Sequence, residues 1–294
     1  MCGIAGFWQR DPLGHEGAQY AQAMADSLTH RGPDNEGIWI DDPQGLALTH
    51  RRLAILDLTP AGHQPMVSSC GRFILTYNGE IYNHRELRRE LASQGRAPSW
   101  IGNSDTETLL ACIQSWGVQS ALSRSVGMFA FALWDRRDRK LTLARDRLGE
   151  KPLYYGWQGS AFYFGSELKA LRAHPKFKAT IDRGSLTLLL RQSYVPAPYS
   201  IYAGIFKLPP GTSITVHDGQ QESRPEAYWA LQDVAQRGVS RPFGGSDSEA
   251  VDTLDRLLNK AIADQSVSDV PMGALLSGGI DSSLVTAIMQ SQSS

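Results

Sequence analysis

A cysteine stands second in the chain, behind the initiator methionine and ahead of a glycine, in MCGIAGFW. Chain ends are the least ordered part of most folds, so a thiol there has little to gain from packing. The one residue ahead of it is no cleavable lipid-anchor segment. A chemical use exists. A thiol attacks only as thiolate, and with an ordinary pKa of about 8.5 it is mostly protonated at neutral pH. Removal of Met1 would give Cys2 a free α-amine of pKa about 8, able to take the proton of its own side chain. Nucleophile and base would then belong to one residue. Cysteine is small enough to permit that removal, and Gly3 leaves room around the new terminus. Taken alone, Cys2 is as easily an accident as a nucleophile.

Other short stretches carry groups that such a nucleophile would need. YNGEIYN places an amide donor at Asn78, an unobstructed backbone N–H at Gly79 and a carboxylate at Glu80. An amide beside an accessible N–H can form an oxyanion hole for acyl transfer. THRRLAILD carries Arg51 and Arg52, either of which could grip a carboxylate at two points. Asp105, in NSDTET, could share an ammonium group with Glu80. One ammonium, one carboxylate and one hydrolysable amide describe glutamine. Each piece also has a plain reading: NG as a turn, the arginines as a surface pair, Asp105 as a helix cap.

Near the other end, SGGIDSS follows the apolar VPMGALL and precedes LVTAIMQ. A glycine-rich turn between a strand and a helix offers backbone N–H groups and a helix N-terminus to phosphate oxygens. The pattern G-x-x-x-x-G-K-[ST] is absent, so this is not a kinase-type phosphate loop. A generic strand–helix turn is the plain alternative.

The elements that must position these groups are legible in outline. GIAGFW, EGIWI, GLALTH, RFILTY, GMFAFALW, KLTLAR and AFYFG are strands rich in β-branched or aromatic residues. Several are apolar on both faces, as strands between two other layers must be. NHRELRRELASQG reads as a helix with Asn83 at the N-cap, Glu86 at the capping-box position, Leu87 and Leu91 on one face and Gly95 at the stop. NSDTETLLACIQSWG repeats that build, with Leu109, Leu110, Ile113 and Trp116 on one side and Gly117 at its end. A first unit is placed at 2–218. A linker poor in periodicity follows over 219–246, and a second unit begins at 247–294. That unit opens with a Ser246/Glu249 capping box and a helix bearing Val251, Leu254, Leu257, Leu258, Ala261 and Ile262. VPMGALL is expected to be a buried strand. There is no internal repeat and no low-complexity tract.

Composition narrows the class. The 294 residues are 41% hydrophobic and 20% charged, with a net charge of −1. This suits a soluble protein of about two domains and gives no basic field for nucleic acid. The three cysteines, Cys2, Cys70 and Cys112, form no C-x-x-C pair, which with the absent signal peptide points to reduced thiols in the cytoplasm. The longest apolar run, VGMFAFALW, is too short to span a bilayer. Neither nucleic acid nor membrane is an expected partner.

Taken together, CGIAGF, HRGPD at 30–34, RRLAILD, YNGEIYN, SDTE, GMFAFALWD, ARDRLGEKPLYY and SGGIDSS resemble, in order, the motifs of glutamine-hydrolysing asparagine synthetases and related amidotransferases. The resemblance covers almost the whole chain. It implies an α+β, four-layer αββα N-terminal-nucleophile sandwich, then the beginning of an α/β domain with a pyrophosphate loop. By the same resemblance Cys2 forms a γ-glutamyl thioester, and Asn78 and Gly79 make the oxyanion hole. Of the two arginines it selects Arg52 for the glutamine carboxylate, with Leu53, Ala54, Ile55 and Leu56 lining the pocket and Glu80 and Asp105 on the α-amino group. Ser277, Gly278, Gly279, Asp281, Ser282 and Ser283 would cradle pyrophosphate, Leu275 would lie near adenosine, and Mg²⁺ would accompany ATP in the full-length enzyme. No protein metal site is implied. HRGPD and RDRLGEKPLYY read as scaffold and domain contacts, and Cys70 and Cys112 as packing residues.

The implied reaction is glutamine-dependent amidation of an ATP-activated carboxylate, aspartate to asparagine, forming AMP and pyrophosphate. A sugar or cell-wall carboxylate as acceptor, a glutaminase alone, and a silent interaction fragment are the alternatives. Family members continue well beyond residue 294, so the chain is expected to be the N-terminal part of a longer product. Oligomeric state, a homodimer included, is left open.

Overall fold

A computed structural model of the protein describes residues 1–217 and 223–293. In chain order the elements are β1 (Gly3–Gln9), α1 (Glu16–Asp26), β2 (Asn35–Asp41), β3 (Leu46–Arg52), β4 (Met66–Val67), β5 (Phe73–Ile81), α2 (His84–Ser93), α3 (Asp105–Trp116) and α4 (Val118–Arg124). Next come β6 (Gly127–Asp135), β7 (Lys140–Arg145), β8 (Tyr154–Gln158), β9 (Ala161–Gly165), α5 (Leu168–Ala173), α6 (Arg183–Gln192), β10 (Ile205–Lys207), β11 (Thr212–His217) and β12 (Glu226–Ala227). Three helices close the chain: α7 (Leu231–Ser240), α8 (Asp247–Gln265) and α9 (Ile280–Gln292).

The strands form two sheets, ordered β10-β8-β9-β1-β3-β2 and β12-β11-β7-β6-β5-β4, with antiparallel pairing throughout. Period-two alternation sorts their side chains into three cores. Ile4, Leu48, Ile74, Ala132, Trp134, Leu143 and Phe164 meet between the sheets. Their chain neighbours Leu75 and Leu133 face the other way, into a core with Leu87, Leu91, Leu109 and Ile113 from α2 and α3. Ala5, Phe7 and Tyr163 face Ala21 and Met24 of α1 and Leu171 of α5. The result is the expected α+β arrangement, helix–sheet–sheet–helix, and it explains why β1 and β6 are apolar on both faces.

Two buried hydrogen bonds stitch the sheets together near Cys2. The Thr76 hydroxyl donates to the Thr49 carbonyl at 3.0 Å, and His50 Nε2 lies 3.0 Å from the Tyr77 carbonyl. Burial holds the His50 imidazole neutral, lowering its pKa from 6.5 to about 3, so Nε2–H donates here.

The structure departs from the sequence reading in four places. VPMGALL is not a buried strand: residues 271–277 are irregular, and Leu275 is 96% exposed. No strand among the described residues pairs with it, and a strand without a neighbour cannot satisfy its backbone. The stretch placed in the linker contains β12, which extends the second sheet beside β11, and the helix α7. The boundary placed at 218 lies outside the described residues. Asn83 sits at the N-cap of α2 without capping it. Its side chain instead accepts from the Val126 N–H and donates to the Arg124 carbonyl, tying α2 to the α4–β6 turn. Cys112 is buried among the α3 contacts, but Cys70 is exposed and is no packing residue. At the start of α2, Glu86 closes no capping box and lies 3.6 Å from Lys260 instead. Two other cap expectations agree: Ser104 accepts from the Glu107 N–H, and Ser246 and Glu249 complete both halves of a capping box.

Candidate active site

Cys2 immediately precedes β1, whose first residue Gly3 pairs with Arg51 of β3. The chain after β3 therefore runs alongside the thiol: the Leu53 N–H lies 3.4 Å from Cys2 Sγ, and Sγ lies 3.6 Å from the Leu53 carbonyl. HRGPD is more than scaffold. Arg31 Nε donates to the Cys2 carbonyl at 2.9 Å while its Nη1 pairs with Glu167, and Asp34 accepts the Ala54 N–H at 2.8 Å.

Beside the thiol opens a cleft lined among others by Met1, Cys2, Arg52, Asn78, Glu80 and Asp105. Leu53, Ile55, Leu56 and Gly79 line it too, but Ala54 does not; its backbone is held by Asp34 instead.

Strand alternation separates the two arginines. Arg51 turns away from the cleft, bonded to the Ala25 carbonyl and ion-paired with Asp26 and, at 2.6 Å, with Glu36. Arg52 turns in and is nearly buried. Its guanidinium donates to the Thr59 carbonyl at 3.3 Å, the Leu56 carbonyl at 3.2 Å and the Asp57 carbonyl. Gly62 leaves it room, because a Cβ there would overlap Arg52 Nη2 and displace the guanidinium.

The two amide donors follow from the β5–β6 register. Gly79 pairs with Phe129, yet the Phe129 N–H goes to the Asp146 carboxylate at 3.1 Å and its carbonyl accepts from Asp146 N–H at 2.7 Å. Gly79–Phe129 is thus a non-hydrogen-bonded pair, and the Gly79 N–H points away from β6. Its neighbours at two-residue spacing point the same way: the Tyr77 N–H donates to Gln64 at 2.7 Å and the Ile81 N–H to Asp105 at 2.8 Å. The close approach of such a pair excludes a side chain at 79, since a Cβ would come within 2.6 Å of Phe129 Cα and nearer still to the Met128 carbonyl. Asn78 is 1% exposed, and its Nδ2 has no hydrogen-bond partner among the described residues. Orphaned buried donors are rare, and this one belongs to a residue that lines the cleft.

Asp105 heads α3 behind the Ser104 cap. Its carboxylate accepts from Tyr77 OH at 2.7 Å, the Ile81 N–H at 2.8 Å and the Thr106 N–H at 3.0 Å. Arg88 of α2 locks the start of α3, donating to the Gly102 and Ser104 carbonyls at 3.0 Å each. Burial raises the Asp105 pKa despite these donors. Burial, then the charge of Asp105, raises that of Glu80 as well. Two carboxylates facing one cleft repel, and a bound cation would relieve both.

The thiol itself is not activated while Met1 is in place. Burial pushes its pKa up, and burial lowers that of the Met1 amine. Met1 also lines the cleft, its Sδ 3.4 Å from Lys151 Nζ.

A sequence profile for the glutamine amidotransferase domain matches residues 1–229. The chain belongs to that family. A second profile, for asparagine synthase, matches residues 253–294. Asparagine synthetase [glutamine-hydrolyzing] 3 of Bacillus subtilis is 37% identical over 98% of this chain and 45% of its own length. A putative asparagine synthetase [glutamine-hydrolyzing] 2 of Methanocaldococcus jannaschii is 34% identical over 99% of this chain and 57% of its own. The chain therefore spans about half the length of the curated relatives it matches. Glutamine phosphoribosylpyrophosphate amidotransferase of B. subtilis, solved with ADP and GMP, shares the fold at a TM-score of 0.58 and 21% identity, over 78% of this chain and 49% of that one.

Sequence reasoning missed several residues that line or brace this cleft. Tyr77, adjacent to Asn78, has no chemistry of its own to advertise it, yet its hydroxyl fixes Asp105. Lys151, in GEKPLYY, was read with the domain contacts but lines the cleft, its backbone held by Asp146 at 3.0 Å. Gln64 lies in GHQPM, a stretch without a recognisable pattern.

The SGGIDSS loop lies apart from this cleft. Gly278 has φ +82°, Gly279 caps α9, and the Ser277 and Ser282 hydroxyls lie 3.0 Å apart. Ser282 and Ser283 donate to the Gly279 carbonyl, and Asp281 is the loop's one carboxylate. The turn is open at Gly278, where a Cβ would meet nothing within 4 Å. Small residues, hydroxyls and a helix N-terminus fit a phosphate group. No helix among the described residues is long and apolar enough to cross a membrane.

Proposed function

We propose that this chain carries the glutaminase centre of a glutamine-dependent amide ligase. The single observation behind this reading is the convergence, in one cleft, of a terminal thiol, an orphaned amide donor, an inward backbone N–H, one guanidinium and two carboxylates. With Met1 removed, the Cys2 α-amine takes the thiol proton and Sγ attacks the side-chain amide carbon of glutamine. Asn78 Nδ2 and the Gly79 N–H hold the developing oxyanion. The proton passes to the leaving nitrogen, ammonia departs, and water cleaves the γ-glutamyl thioester to glutamate. Arg52 grips the substrate carboxylate, within the wall made by Leu53, Ile55 and Leu56, and Glu80 and Asp105 hold its ammonium. Removal of Met1 frees the base and clears the cleft in one step.

In the longer protein, Ser277, Gly278, Gly279, Asp281, Ser282 and Ser283 would hold the pyrophosphate of ATP, with Leu275 toward the adenosine and Mg²⁺ as its counter-ion. ATP supplies the activation of a carboxylate that ammonia then amidates. Aspartate is the proposed acceptor and asparagine the product, as the names of the relatives suggest, in the cytoplasm, where the unpaired thiols stay reduced.

The test is glutamate release from glutamine by the purified chain. Wild type should release it, and Cys2→Ala and a preparation shown by mass to retain Met1 should not. An inactive wild type, or full activity in either comparison protein, overturns the proposal.

A further inference from the structure

Leu53, Ile55 and Leu56 form one wall of the cleft, and the carbonyls of Leu56, Asp57 and Thr59 aim the Arg52 guanidinium. The loop is shaped by Asp57, a non-glycine residue held at φ +56°. That left-handed conformation is uncommon for a residue with a side chain, and aspartate is among the few that tolerate it. The Asp57 carboxylate is fully engaged, accepting from the Asn103 N–H at 2.8 Å, the Thr59 N–H at 3.2 Å and the Thr59 hydroxyl. The Asn103 bond also ties the loop to the start of α3, where Asp105 stands.

The outer side of the loop is gripped from far along the chain. The Asp269 N–H donates to the Ile55 carbonyl at 3.0 Å, and Asp269 Oδ2 accepts the Asp57 N–H at 2.7 Å. These bonds engage the loop backbone on both sides of Leu56, whose carbonyl holds Arg52. Asp269 itself is exposed and lies just ahead of the segment that runs into Ser277.

We propose that Asp269 is a positioning residue of the glutamine pocket, holding residues 55–57 so that their carbonyls keep Arg52 aimed at the substrate carboxylate. The same contact makes the glutamine wall and the approach to the SGGIDSS loop one mechanical unit. This rests on Arg52 as the carboxylate grip.

The experiment compares wild type, Asp269→Ala and Asp269→Asn by glutaminase kinetics on the full chain, with amide hydrogen exchange at Asp57. Asp269→Ala should raise KM for glutamine about three- to tenfold, the range expected for one partly exposed charged hydrogen bond, with kcat within about twofold. Asp269→Asn keeps an acceptor oxygen and should stay near wild type. The Asp57 amide should be protected in wild type and exchange faster in Asp269→Ala. Equal KM in Asp269→Ala and wild type, a loss confined to kcat, an impaired Asp269→Asn, or an unprotected Asp57 amide overturns the role of Asp269. An inactive wild type overturns instead the reading of the site, while the exchange measurement still decides whether the clamp exists.

Discussion

The Asn78 side chain supports the sharpest expectation at the residue scale, because its Nδ2 is buried with no acceptor among the described residues. A donor used only when an oxyanion forms contributes to the transition state and not to ground-state binding. Asn78→Ala should therefore lower kcat for glutamate release about 100- to 1,000-fold and leave KM nearly unchanged; steady-state kinetics decides. Glu80 and Asp105 predict a pH effect. Burial raises both pKa values above the ordinary carboxylate range. As pH falls through those raised values the carboxylates protonate and lose their hold on an ammonium group. KM for glutamine should rise on acidification, and Glu80→Gln should flatten that rise; an unchanged pH profile in the variant would remove Glu80 from substrate binding. The residue types that gather in the cleft were readable in advance because glutamine presents few chemical handles. Which arginine lines the cleft was not readable from type, and depends on strand parity: Arg51 ion-pairs with Asp26 and Glu36, while Arg52 turns inward.

Among the elements, β5 carries the site's most demanding geometry. Gly79 sits in a close pair with Phe129, where even one methyl group meets backbone. Gly79→Ala should destabilise the fold by about 2 kcal/mol or more, read as a lowered denaturant midpoint. Retention of the wild-type midpoint would show that the strands separate more easily than the register implies. Strands with apolar residues on both faces, such as GMFAFALW, were legible because each side packs against its own layer. The failures have physical causes. Asn83 had better hydrogen-bonding partners at 124 and 126 than its own helix offers. VPMGALL has strand composition but no neighbour to pair with among the described residues, and pairing rather than propensity makes a strand.

At the scale of the whole molecule the αββα sandwich was legible because seven of the eight ordered motifs fall within it, whereas the contacts that join distant segments were not. Nothing in the sequence says that His50 bridges two sheets or that residue 269 reaches residue 57. The His50 bridge predicts a pH-dependent stability. The folded imidazole has its pKa lowered from 6.5 to about 3, so the unfolded chain takes up the proton first. This contribution is complete above the unfolded value and is lost as pH falls from there toward the folded one. Between pH 7.5 and 5 it should weaken folding by about 2 kcal/mol, measured as urea midpoints at the two pH values. His50→Gln keeps a donor for Tyr77 but cannot titrate, and should lose that part of the slope; an identical slope would place the acid sensitivity elsewhere.

The opposed arginines of β3 have a consequence for how this gene tolerates change. If one codon were deleted within Leu46–His50 while the pairing with β1 and β2 held, Leu53 would take the inward position now held by Arg52. Arg51 would then be driven into the dry site of His50. A strand whose alternate residues face ion pairs on one side and the cleft beside Cys2 on the other can vary in spelling, but its number of letters is frozen.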